Sequence, residues 1–135
     1  MDWVDLWGLK PVPFDQWIKN GGTGYSNYIS KEYTGITNDF PRRRQQHSGT
    51  KGRIMEIPKT GDLTKNQARA IEQSIIHNRR INGNLGLNKI NSISPKREIY
   101  SEALSWGERW IKKNNTDLAK ELGIANSGVK KCKKN

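Results

Sequence analysis

Apolar and polar positions in the first half of the chain predict three short strands. Residues 25–29 and 32–37 are rich in Tyr, Ile and Thr and are separated by Ser30-Lys31, which is typical of a tight antiparallel hairpin. Residues 53–57 then alternate polar and apolar side chains, a period that predicts a third strand with one buried face. The pattern therefore predicts a small sheet early in the sequence.

A helix is predicted between the second and third strands. Asn38 and Asp39 are residues that cap helices, and Pro41 is tolerated in a first helical turn. We expect this helix to run to about His47, because a Ser-Gly pair follows it.

A second helix is predicted after the third strand. Thr64 and Gln67 have the spacing of a capping box. Apolar side chains then recur on one helical face, with Arg69 and Gln73 on another, until an Asn-Gly-Asn sequence ends the pattern. We therefore expect an amphipathic helix that packs one face against the sheet.

The last third of the chain also has helical periodicity. Ser94 and Pro95 predict a helix start, and a second short helix is predicted over 116–122, with Gly123 at its C-terminal cap. The first of these helices carries an apolar stripe, interpreted as core, of Ile99, Ala103, Trp106, Trp110 and Ile111. Together the elements predict an α+β fold: a small, mostly antiparallel three-stranded sheet flanked by helices, with a helical C-terminal segment.

Three segments of unequal length follow from this division. Residues 1–23 are interpreted as an N-terminal arm, loosely docked in the simplest interpretation, in which Pro11 and Pro13 prevent a regular helix or a central strand. Residues 24–114 contain the dense signals and form the predicted main domain. Residues 115–135 are predicted to be a short helix and a lysine-rich, solvated tail.

Composition narrows the class of protein. The chain has 135 residues and a formal net charge of +11, which favours a polyanionic partner such as nucleic acid or an acidic protein. A single cysteine, Cys132, excludes a disulfide framework, and two histidines exclude a His-rich metal centre. A transmembrane helix and an N-terminal secretory signal are both absent from the pattern, so no membrane partner is expected.

Candidate chemistry lies around the second predicted strand and the helix after it. Tyr33 and Gly35 are two positions apart on a strand and face the same side, where a glycine leaves room for a ligand backbone. Arg43 and His47 are four apart on a helix and share a face. Such a convergence suits a phosphodiester, and more basic side chains that would position phosphates are nearby: Arg42, Arg44, Lys51 and Arg53.

The ordered set of such residues resembles the GIY-YIG nuclease family. Tyr33-Thr34-Gly35 resembles the second half of the family signature, with Thr34 where Ile or Val is usual. The other matching positions are Arg43, His47, Glu72 and Asn88. The tyrosine of the first half is either Tyr25 or Tyr28, because a turn centred on residue 29 would place Tyr25 opposite Tyr33 and a turn at Ser30-Lys31 would place Tyr28 there. The resemblance covers roughly residues 24–93.

This resemblance implies metal-assisted hydrolysis of phosphodiester bonds, with DNA favoured over RNA. Glu72 would hold one divalent ion, Mg²⁺ or Mn²⁺, as a hard oxygen ligand. Arg43 would neutralise charge on the phosphorus, and Tyr33 would orient or deprotonate the attacking water. His47 would orient Tyr33 or accept a proton. Asn88 would hold Glu72 or a backbone carbonyl in place.

Two further resemblances imply a biological setting. Residues 3–9 resemble the junction that precedes the toxin region of Rhs-repeat proteins, and residues 87–95 resemble an ending shared by nuclease toxins of polymorphic toxin proteins. They imply an interbacterial toxin domain that is monomeric by itself, secreted within a larger precursor and active in the target-cell cytoplasm. Such a toxin requires an immunity protein, and the net charge predicts an acidic one.

Two alternatives remain open on the sequence. One is an RNA-cleaving toxin, which would use the same residues. The other is a non-catalytic nucleic-acid-binding module, for which residues 116–124 offer a resemblance to a helix-turn-helix.

Overall fold

The computed structural model describes residues 12–47, 53–84, 86–88 and 90–124. Three strands and five helices are present in these ranges, and they confirm the predicted α+β fold. In chain order the elements are α1 (Phe14–Trp17), β1 (Ser26–Ile29), β2 (Thr34–Thr37), α2 (Phe40–His47), β3 (Met55–Glu56), α3 (Lys65–Ile81), α4 (Tyr100–Asn114) and α5 (Thr116–Leu122).

The sheet has the order β2-β1-β3, with β1 antiparallel to both neighbours. Neither of the two hairpin registers considered from the sequence is correct, because Tyr28 lies opposite Gly35 and not opposite Tyr33. The Ser30 N–H donates to the Tyr33 carbonyl at 2.7 Å, so the loop consists of Lys31 and Glu32. That loop keeps Tyr28 and Gly35 on the same face of the sheet.

Helix α3 forms the centre of the core. Its predicted capping box is confirmed: the Gln67 N–H donates to Thr64 Oγ1 at 3.1 Å, and the Thr64 N–H donates to Gln67 Oε1 at 2.9 Å. The predicted apolar face is buried as expected. Gln73 is also fully buried, contrary to the amphipathic prediction, because its side chain bonds the Ile93 N–H and Asn91 from the loop before α4.

The C-terminal helices cover the other side of α3. Gly107 of α4 faces Ala70 and Ser74, and a Cβ atom there would clash with both residues, so glycine permits the close approach of the two helices. The short α5 has the predicted bounds, and Gly123 ends it in the left-handed conformation (φ 75°). The helix-turn-helix comparison cannot be followed past Ile124, because residues 125–135 lie outside the described residues.

The start of α4 was predicted too early. Residues 94–99 form turns, and the regular helix begins at Tyr100. The Ser94 hydroxyl accepts the Lys96 N–H at 3.2 Å, and Ile93 and Ile99 are both buried on either side of these turns. Burial of both isoleucines holds the intervening chain in turns and delays the helix.

The described part of the N-terminal arm is docked in the core. Trp17 and Ile18 are buried in a cluster with Ala70, Ile93, Ile99 and Ala103. The Trp17 carbonyl accepts a hydrogen bond from Asn66 Nδ2 at 2.8 Å. Loose docking is therefore wrong for this stretch, while residues 1–11, with the predicted junction motif, lie outside the described residues.

Candidate active site

Tyr28 lies at the centre of the candidate site. Its side chain is 1% exposed, and its ring lies over Gly35 on the neighbouring strand. A Cβ atom at Gly35 would collide with the Tyr28 ring and hydroxyl. The gap that glycine was expected to leave for a ligand is thus filled by Tyr28, and Gly35 acts by admitting that ring.

Helix α2 brings two further predicted residues to Tyr28. The Tyr28 Oη atom lies 3.4 Å from His47 Nε2, and the Arg43 side chain hydrogen-bonds the Tyr28 hydroxyl. The Tyr33 ring lies 6.1 Å from that of Tyr28 and 5.8 Å from that of His47, measured between centroids. The four side chains therefore form one cluster at the turn end of the β1–β2 hairpin.

Burial raises the pKa of Tyr28 above its ordinary value of 10.0, and the neighbouring Tyr33 raises it further. Arg43 acts in the opposite direction through its positive charge and its hydrogen bond. Tyr28 consequently keeps its proton at neutral pH, so its hydroxyl can donate a hydrogen bond and orient a partner.

Glu72 faces this cluster from α3. Its negative charge acts on the Tyr28 hydroxyl. Burial raises the pKa of Glu72 to about 7, while a hydrogen bond from Ser92 and the charge of Arg69 lower it. A carboxylate that is costly to ionise in this position would be stabilised by a bound cation.

Asn88 holds a backbone segment, which is one of the two roles expected for it. Its Oδ1 atom accepts from the Thr34 N–H at 2.8 Å, and its Nδ2 atom donates to the Thr34 carbonyl at 3.0 Å. Asn88 is 5% exposed, so its buried amide group anchors β2 through these two hydrogen bonds. It fixes the strand that follows Tyr33.

Tyr25 is not part of the cluster. Its backbone pairs with Leu63, where the Tyr25 N–H donates to the Leu63 carbonyl at 3.0 Å, and its ring packs against the core beside α3. Because side chains alternate along a strand, Tyr25 and Tyr28 point to opposite faces. Of these two tyrosines, Tyr28 is the one whose ring lies beside that of Tyr33.

Basic side chains surround the cluster on its α2 side. Arg44 lies over the Phe40 ring at 5.9 Å and lines a cleft of about 630 Å³ with Arg53. Arg42 lines a smaller cleft of about 240 Å³ with Arg43. Lys51, also predicted to bind nucleic acid, lies outside the described residues.

Sequence reasoning missed the groups that hold Glu72. Arg69 was assigned only to a helix face, yet it lies one turn before Glu72, and its Nη2 atom donates to the Ser92 carbonyl at 2.7 Å. The i, i+3 spacing of Arg69 and Glu72 was a usable signal. No sequence pattern indicated that Ser92 would contact Glu72 or that Trp17 would contact Arg69, because both contacts depend on the packing of distant segments.

Glu72 is the carboxylate that the candidate site offers to a metal ion. Within ranges 12–47, 53–84, 86–88 and 90–124, no group of three or more His, Cys, Asp or Glu residues could hold a metal ion. Mg²⁺ is commonly bound through one or two carboxylates, with water and substrate phosphates completing the octahedron. Glu72, partly buried beside Tyr28, fits that arrangement and does not fit a closed structural metal centre.

None of the described helices combines the length and the apolar character needed to cross a bilayer. Comparisons with protein-family models, with curated proteins and with solved structures find no match for this chain.

Proposed function

We propose that this chain is a metal-dependent endonuclease of the GIY-YIG type that hydrolyses phosphodiester bonds, with DNA as the favoured substrate. The observation that carries the proposal is the convergence of Tyr28, Tyr33, Arg43 and His47 with Glu72. These residues come from the β1–β2 hairpin, α2 and α3, and all of them belong to the set that the sequence resemblance indicates. The formal net charge of +11 supports a polyanionic substrate.

In this proposal the chain's own residues orient water and neutralise charge. Tyr28 keeps its proton, and its buried hydroxyl positions Arg43 and His47. Tyr33 and His47 lie side by side and orient that water. Arg43 stabilises the negative charge that gathers on the phosphate oxygens in the transition state.

Glu72 would hold the divalent ion, Mg²⁺ or Mn²⁺. Such an ion supplies Lewis-acid polarisation of the phosphate and stabilises the leaving oxygen. Ser92 and Arg69 favour the ionised carboxylate that such a ligand requires.

The biological role is proposed on the resemblances of residues 3–9 and 87–95. We infer an interbacterial toxin domain, secreted within a larger precursor and active in the target-cell cytoplasm. The inferred partner is an acidic immunity protein that covers the basic surface of α2, formed by Arg42, Arg43 and Arg44. Rapid, salt-sensitive association is the expected signature of that partner.

The test is incubation of the purified chain with plasmid DNA and, separately, with total RNA, each with Mg²⁺ and with EDTA. We expect nicked and linear plasmid only with Mg²⁺. Cleavage of RNA alone would change the substrate to RNA. Binding of DNA without cleavage at any Mg²⁺ concentration would overturn the enzyme in favour of a binding module.

A further inference from the structure

Two arginines meet on one tryptophan beside the candidate site. The guanidinium carbon of Arg69, on α3, lies 5.8 Å from the centroid of the Trp17 ring, and that of Arg97, before α4, lies 5.6 Å from it. Trp17 itself belongs to α1 and is 6% exposed. Three distant segments thus converge to hold two cations against one buried indole.

Arg69 is held in a fixed orientation. Its Nη2 atom donates to the Ser92 carbonyl at 2.7 Å, and its Nη1 atom donates to Asn66 Oδ1 at 3.4 Å. A guanidinium group has five N–H donors, so these two bonds leave donor capacity on Arg69. Its planar fork matches phosphate oxygens.

The two arginines are also electrostatic neighbours. Their guanidinium carbons lie 5.8 Å and 5.6 Å from the same ring centroid, so the two positive charges are close together, while the charge of Glu72 partly offsets that of Arg69. Holding two like charges together is unfavourable, and an anion that contacts both relieves the repulsion. Trp17 offsets part of the cost through its two cation–π contacts.

Arg69 connects the arginine pair to the candidate active site. Arg69 acts on Glu72 from one helical turn away, while Arg43 acts on Tyr28 from α2. Basic groups therefore approach the candidate site from two separate elements. A nucleic-acid strand is a linear array of phosphates, so a strand bound at the site can contact cationic groups from both elements.

We propose that Arg69 and Arg97, clamped by Trp17, form a second phosphate-binding subsite that holds the DNA backbone next to the bond being cleaved. This subsite rests on the proposed nuclease function for its location, but it binds DNA independently of catalysis. Trp17 is a platform and not a base-stacking residue, because its ring is almost completely buried. The N-terminal segment thereby takes part in substrate binding without touching the substrate.

The test is DNA binding in EDTA, where no cleavage interferes. The affinity for a fluorescent 20-base-pair duplex is measured as a function of salt for the wild type, Arg97→Gln, Arg97→Lys and the control Lys113→Ala. Lys113 is exposed in the last turn of α4, about 20 Å along the helix from Tyr100. Thermal unfolding of each variant verifies that it is folded.

In a plot of log affinity against log salt concentration, Arg97→Gln is expected to have a slope that is smaller in magnitude by about 0.9, because one phosphate contact is lost. At ~0.1 M salt this corresponds to a loss of affinity of about eightfold. Arg97→Lys keeps the charge and should keep the slope, and Lys113→Ala should resemble the wild type. A wild-type slope in a folded Arg97→Gln variant overturns the subsite, whatever the wild type does to plasmid. Conversely, a reduced slope with no Mg²⁺-dependent cleavage supports the subsite and overturns the nuclease.

A measurement on the unaltered chain covers the case in which Arg97→Gln does not fold. Phenylglyoxal modifies accessible arginines, and peptide mass spectrometry reports the modified positions. The duplex is expected to protect Arg97 and to leave Arg109, on the exposed face of α4, modified. Equal modification of Arg97 with and without DNA would overturn the subsite.

Discussion

Helices α2 and α3 carry the two halves of the candidate site and are held in different ways. Helix α3 buries ten of its side chains between the sheet and α4, whereas α2 buries none. Helix α2 is attached through Phe40 and His47, whose rings lie 6.4 Å and 5.8 Å from that of Tyr28. The carboxylate therefore lies on the core of the fold, and the cations lie on a lightly attached helix. Changes on α2 should alter chemistry with little effect on folding, and changes on α3 should affect folding first.

The largest expected change in stability is on α3. Ile75 is fully buried, so Ile75→Ala should lower the free energy of unfolding by about 2–5 kcal/mol through lost burial and a residual cavity. Ile81, 66% exposed at the end of the same helix, is the matched control and should change stability by less than about 0.5 kcal/mol as Ile81→Ala. Urea denaturation measures both. Similar values for the two variants would contradict the assignment of α3 to the core.

Next comes Glu72→Gln, which should raise stability while abolishing cleavage. Folding raises the pKa of Glu72 from 4.5 to about 7, so between these pH values the folded chain binds a proton that the unfolded chain has released. Stability conferred by that proton is present below pH 4.5 and is lost as pH rises through about 7. The glutamine side chain does not ionise, so this loss of stability does not occur in Glu72→Gln. Above about pH 7 the free energy of unfolding of the variant should therefore exceed that of the wild type by up to about 3 kcal/mol.

Thermal unfolding of Glu72→Gln between pH 4 and pH 8 measures this effect. The stabilisation should appear only at the upper end, and Glu102→Gln, on the exposed face of α4, should show none. The raised pKa of Glu72 also predicts that cleavage by the wild type at low Mg²⁺ concentration increases with pH, because only the ionised carboxylate binds a hard cation. Retained cleavage in Glu72→Gln would contradict the metal-ligand assignment.

The capping box gives a smaller effect. Thr64→Ala removes the hydroxyl that accepts from the Gln67 N–H and that donates to the Ile18 carbonyl at 2.5 Å. The expected loss is about 0.5–2 kcal/mol, with the exposed Thr23→Ala as control. Chemical denaturation with guanidinium chloride distinguishes the two. Equal stabilities would mean that the cap and the tie to the N-terminal segment contribute nothing.

The smallest change in stability is expected on α2, together with a large change in activity. Arg43→Ala should lower the unfolding free energy by about 1 kcal/mol or less, because His47 stays beside the Tyr28 hydroxyl when the Arg43 hydrogen bond is lost. Its cleavage rate should fall about 100- to 1000-fold, because the phosphate oxygens lose one hydrogen-bond donor that stabilises their negative charge in the transition state. Arg109→Ala, an exposed arginine on α4, is the control for a general loss of positive charge. A destabilised Arg43→Ala protein would show that α2 is more firmly held than its exposure indicates.

Local signals in the sequence were sufficient for most of the fold. The capping box at Thr64 and Gln67, the apolar face of α3 and the bounds of α5 are all set by short-range spacing, and all are confirmed. The hairpin register was wrong by a small shift, because a loop of Lys31 and Glu32 satisfies the Ser30 and Tyr33 backbone groups better than either predicted turn. A single backbone hydrogen bond of this kind produces no periodic pattern in the sequence, so the sequence does not predict it.

The candidate site was only partly accessible from the sequence. The proximity of Arg43, His47 and Tyr33 follows from helical spacing and chain continuity. The choice between Tyr25 and Tyr28 depended on register, which the sequence did not determine. Trp17 was placed on a loosely docked arm because Pro11 and Pro13 precede it, and its burial depends on a pocket formed by residues far along the chain.

Asn88 has a consequence for solubility. Strand β2 is one of the two outer strands of the sheet, and its outward N–H and C=O groups would otherwise be available to the edge of another chain. At Thr34 the Asn88 amide binds both groups, with a donor and an acceptor arranged as a neighbouring strand would offer them. A single side chain thus takes the place of a fourth strand at this point. It blocks strand addition there and helps to keep a chain with a short, open sheet from associating with its own copies.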